Sequence, residues 1–134
     1  MTKKMGIIVL LLWGWLTFPA QAADIDGSIP VFCAFTRAVE CHYRVGCDQV
    51  APEDVLLPTF VKIDFQKKIV SMPEAGSTRT TEIKSFLKAD GKLILQGHEV
   101  RAWSVIISEK TGQMTLAVAS EEDGFILFGN CMVP

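Results

Sequence analysis

Catalytic vocabulary is thin in this chain. Two histidines, His42 and His98, make up the whole imidazole complement, and no Gly-x-Ser-x-Gly elbow or phosphate-cradling glycine loop is present. Basic charge is equally scarce. Thirteen Lys and Arg face fifteen Asp and Glu, for a net charge of −2, and no Lys/Arg cluster gives nucleic acid or anionic lipid a footing. Nor is there an apolar run long enough to span a bilayer. The longest, Met5 to Phe18, is interrupted by Gly6 and Gly14, ends at Pro19 and falls short of the roughly 20 residues a crossing helix needs.

That short run reads instead as an export signal. Lys3 and Lys4 supply its positive start and Ala20-Gln21-Ala22 a small-x-small cleavage site. Residues 1–22 are therefore expected to be a signal peptide and residues 23–134 a single β-rich domain, periplasmic or secreted, with no stable membrane insertion after cleavage. Without Lys3 and Lys4 the acidic excess deepens to −4.

All four cysteines, Cys33, Cys41, Cys47 and Cys131, fall in that domain. An even number in a short exported chain signals disulfides. Cys41 and Cys47 enclose five residues, too many for the usual zinc spacing, and no Cys-x-x-Cys motif suggests redox catalysis. Three pairings are open. Cys33 with Cys131 and Cys41 with Cys47 is the set that would place the first and last strands side by side and clasp the first hairpin. No metal or cofactor is expected. Glu121 to Gly124 and Asp24-Ile25-Asp26-Gly27 come nearest to a calcium loop but read as a hairpin tip and a disordered terminus.

Past the signal the hydrophobic period is two. Trp103, Val105 and Ile107 share a face, as do Met114, Leu116 and Val118, which marks both runs as strands. Asp90-Gly91, Thr111-Gly112 and Asp123-Gly124 separate neighbours at intervals too short for a helical crossover, so the strands run antiparallel. Upstream, strands are expected at Phe32 to Cys41, where Phe32, Phe35 and Val39 also suit one face of a short helix, and at Phe60 to Phe65, Lys68 to Met72, Glu82 to Lys88 and Lys92 to Glu99. Ile83, Leu87, Leu93 and Leu95 are expected to face inward. Asp48 to Thr59 and Pro73 to Thr81 read as irregular, with one helical turn opening at Pro52. The expected fold is all-β: a single antiparallel up-and-down meander, a closed or nearly closed barrel of about eight strands.

Phe32-Cys33, Glu40-Cys41 with Cys47, Pro52-Glu53-Asp54-Val55, the run from Leu57 to Asp64 and the closing Phe125-x-x-Phe128-Gly129-x-Cys131 resemble small exported bacterial β-rich proteins of unknown function. That resemblance implies export and a β-rich body but transfers no site. By pattern alone the meander is also similar to lipocalin-like barrels, without their Gly-x-Trp entry motif.

No catalytic residue is assigned. Arg37, on the otherwise apolar face of the first strand, is the candidate for gripping an anionic ligand, and Trp103 is the candidate for lining a pocket. Phe35, Leu95, Trp103, Met114, Leu116, Phe125 and Leu127 are expected to fill the barrel, leaving less than the roughly 300 Å³ of a ligand pocket. The expected function is thus a non-catalytic module recognising an envelope or extracellular protein through its loops. The alternatives are a carrier of a small ligand inside the barrel and a small exported enzyme built on Arg37, Asp64 and His98.

Overall fold

A computed structural model describes residues 24–134 apart from residues 56 and 75–76. The expected signal peptide lies outside the described residues. Ten strands follow in chain order: β1 (Val31–His42), β2 (Gly46–Val50), β3 (Phe60–Asp64), β4 (Ile69–Glu74), β5 (Ser77–Glu82), β6 (Ser85–Ala89), β7 (Lys92–His98), β8 (Ala102–Ser108), β9 (Gln113–Ala119) and β10 (Asp123–Met132). A single 3-10 turn, Pro52–Val55, opens on the expected proline. The fold is all-β, an antiparallel meander curled strongly into a half-barrel.

The sheet runs β5-β4-β3-β1-β10-β9-β8-β7-β6, with β2 branching from β1. β1 is long enough to serve two partners on one edge. Its first residues pair with β3 and its last with β2, while β10 runs along the other edge. The first and last strands are neighbours as expected, yet their pairing lies in the middle of the sheet. The ends of the sheet are β5 and β6, which follow each other in the chain. There Ile83 N–H donates to the Lys68 carbonyl and Lys84 N–H to the Gln96 carbonyl, both at 2.8 Å, so the intervening residues stitch the two limbs without a ladder.

The core follows the alternation. Val31, Cys33, Val61, Ile63, Leu93, Leu95, Val105, Ile107, Phe125 and Leu127 are all buried, and each comes from the inward phase of its strand. One end of the half-barrel is closed. Ile25 is buried and its N–H donates to the Glu109 carbonyl at 2.9 Å, while the rings of Phe65 and Phe86 meet at 5.4 Å near the seam. Residues 24–27, expected to be a disordered terminus, are thus part of the plug.

Four further expectations are corrected. β2 and β5 are strands where irregular chain was expected, because neither carries the apolar alternation that announces a strand. Every side chain of Gly46–Asp48 and Gln49 is exposed, and β5 is a threonine-rich run with only Thr81 buried among its described side chains. Leu87 is 54% exposed rather than inward, since the chain passes Ile83 and Lys84 at the seam before β6 begins and its phase is reset. Arg37 also leaves the apolar face. The β1–β10 register slips between Phe35 and Arg37, so that Phe35 and then Ala38 are buried while Thr36 and Arg37 are exposed.

Candidate functional site

The limbs of the half-barrel enclose a cleft of about 240 Å³. Its floor and walls are apolar: Phe35 from β1, Leu95 from β7, Trp103 and Val105 from β8, Met114 and Leu116 from β9, with Val61, Ile63, Val70 and Met72 from the opposite limb. The space left is below the roughly 300 Å³ of a ligand pocket, as expected, though it is not nil. Phe35, Leu95, Met114, Phe125 and Leu127 are buried in the core and Trp103 and Leu116 pack against it; all but Phe125 and Leu127 also border the cleft. Leu57 and Pro58, just after the 3-10 turn, form one side of the entrance.

Trp103 is held by three features. It pairs across the ladder with Gly97, and a Cβ on Gly97 would overlap the indole and approach the Glu82 carbonyl to 2.6 Å. Glycine is required there by space rather than by backbone angle. From the far limb, Thr81 on β5 accepts the indole N–H at 3.2 Å. Thr81 is the one buried polar residue among those described, and its hydroxyl gives Trp103 the partner a half-buried indole needs.

The mouth is charged. Arg79, Thr81, Glu99, Val100 and Arg101 line it. Arg79 Nη2 lies 2.7 Å from Glu99 Oε2, joining β5 to the β7–β8 turn across the seam. Their side chains are 61% and 35% exposed, and exposed pairs contribute only about 0–1 kcal/mol. Arg101 is held more firmly. It reaches Asp123 at 2.7 Å and stands over the Phe125 ring at 5.1 Å. The Asp123 carboxyl sits below the usual aspartate range, chiefly because the Ser120 hydroxyl donates to it; burial opposes this, and Arg101 beside it adds to the lowering. Tyr43 N–H donates to the Glu122 carbonyl, so the β1–β2 hairpin tip, clasped by Cys41–Cys47, stands at the same open end.

Of the residues singled out from sequence, Trp103 lines the cleft. Arg37 does not; it borders a second, more open groove of about 580 Å³ with Gln49, Val50, Pro52 and Glu53, which shares only Phe35 with the cleft. His98 is exposed, and Asp64 accepts the Lys67 N–H in the β3–β4 turn, so the set Arg37, Asp64 and His98 does not converge. His42 pairs with Glu40 at 3.1 Å. Among the described residues no group of metal-ligating side chains is found. The mouth residues Arg79, Glu99 and Arg101 were missed because they fall in turns and in an unrecognised strand. The isolated Gly97 within the alternation of β7 was the one readable sign, since such a glycine marks close approach.

No family model, no curated protein and no solved structure matches this chain. The resemblance to small exported β-rich proteins rests on the quoted motifs alone. The two disulfides, Cys33–Cys131 and Cys41–Cys47, are those of a protein from an oxidising, extracellular or periplasmic environment. Among the described residues no helix is long and apolar enough to cross a membrane, which says nothing of strands.

Proposed function

We propose that this protein is an exported, non-catalytic binding module that holds a small apolar ligand between the limbs of its half-barrel. The observation carrying this reading is the cleft itself: about 240 Å³, apolar on its walls, polar only at an open mouth. Pockets of this character are the usual seats of small ligands, though this one is below the common size range of roughly 300–1,000 Å³, which favours a ligand smaller than a typical drug. The driving force would be burial, at about 0.8 kcal/mol per methylene removed from water. Loop-mediated recognition of an envelope protein, the expectation from sequence, has no comparable geometric support. The Ala20-Gln21-Ala22 site and the two disulfides support export to the periplasm or beyond.

Octanol is a neutral probe of suitable size. Its titration should give a saturable change in the fluorescence of Trp103, the one tryptophan of residues 23–134, that is lost in Trp103→Phe. Arg37→Ala should bind octanol like the parent, because Arg37 lies outside the cleft. Absence of a saturable, Trp103-dependent signal would refute the reading.

A further inference from the structure

We infer that the ligand is a single-chain carboxylate, its tail in the cleft and its head on Arg79 and Arg101 at the mouth; this rests on the cleft being a binding site. Among the charged residues lining the site, two guanidiniums face a single carboxylate. Arg101 is also held by Asp123, which lies outside that lining, so the mouth is charge-balanced while Glu99 rests on Arg79 and turns positive only as Glu99 moves away. A carboxylate head can take the place of Glu99 on Arg79 and keep that balance, whereas a neutral head displacing Glu99 would leave Arg79 unpaired and a cationic head would stand against it.

Glu99 shows the chemistry that the mouth accepts. Its carboxylate rests on Arg79 at 2.7 Å while its residue lines the entrance, so it occupies the place a ligand carboxylate would take, as a tethered substitute. The pair is solvent-exposed and hence readily exchanged. Val100, beside it, is 99% exposed, so the turn carrying Glu99 has no packing of that side chain to lose if it swings aside. Arg101 is the fixed element. Asp123 engages one Nη2 donor and Phe125 supports the plane, leaving further N–H groups of the guanidinium free for a second carboxylate. The Trp103 indole N–H is already spent on Thr81, so it adds no donor for the head.

The test compares octanoate, octanol and octylammonium, equal in chain length and differing in head charge, on the disulfide-bonded protein by calorimetry. The expected order is octanoate tightest and octylammonium weakest, with at least a tenfold gap between them that narrows as salt is added. Arg79→Gln should weaken octanoate about tenfold and leave octanol unchanged, the octanol arm showing that the cleft is intact. Glu99→Gln should tighten octanoate by removing its competitor. If octanol binds but octanoate binds no better, or octylammonium binds better, the carboxylate assignment is overturned while the cleft stands. If octanoate loses affinity in Glu99→Gln, Glu99 is not a competitor and the exchange is wrong. If none of the three binds, the cleft reading falls and this inference falls with it.

Discussion

Gly97 and Trp103 act as one device. The glycine provides the space the indole occupies, and the indole forms a wall of the cleft. Gly97→Ala should therefore destabilise the fold by roughly 1–3 kcal/mol, the usual cost of forcing atoms into a packed site, and should shift the Trp103 emission. Denaturant unfolding of the variant checks the first and its native-state spectrum the second; a neutral substitution with unchanged emission would contradict the geometry. Asp123 carries a pH dependence. Its carboxyl is acidified in the folded protein, so its contribution is present above the ordinary aspartate value of about 3.9 and is lost as pH falls through the lower folded value. The stability gap between the parent and Asp123→Asn, followed by thermal unfolding, should accordingly be full at neutral pH and shrink on acidification below about pH 4. A gap that widened on acidification would have the wrong sign.

At the scale of elements, what was readable from sequence was alternation, and what escaped was everything that breaks it. β7, β8 and β9 were legible because Leu93, Leu95, Trp103, Val105, Ile107, Met114 and Leu116 repeat every second residue. β5 escaped because Ser77 to Glu82 contains no apolar residue and its pairing depends on β4. The bulge in β1 escaped because a register slip is set by two strands together; Gly129, where a Cβ would approach the Ala34 backbone, lies opposite it. Assigning Arg37 an inward guanidinium assumed an unbroken phase, and the slip turns it out. The candidate site was legible only in its walls, since its mouth is assembled from turns that the topology brings together. Of the three cysteine pairings open from sequence, the structure holds the one that joins the first and last strands. Cys33–Cys131 spans 98 residues and Cys41–Cys47 spans 6, so the loop-entropy model assigns about 4.7 kcal/mol to the long bridge and roughly 2.4 to the short one. Cys131→Ser should lower the unfolding midpoint much more than Cys47→Ser, and equal losses would contradict that ordering.

The whole molecule is a curled sheet with one plugged end and one open end. Ile25 and the Phe65–Phe86 contact close the first, while the hairpin tip at Tyr43, the β9–β10 turn and the charged β7–β8 turn surround the second. Because β5 and β6 meet without a ladder, the limbs are joined by the Ile83 and Lys84 backbone hydrogen bonds and, at the mouth, by Arg79–Glu99 and Trp103–Thr81. The proposed function requires that a small molecule enter through the open end. Methyl-resolved NMR during an octanol titration tests this most directly. Saturable shifts should appear at Leu95, Val105, Met114 and Leu116 inside the cleft while Leu87 and Met132, on the exterior, stay still. Shifts confined to exterior methyls, or none that saturate, would contradict it.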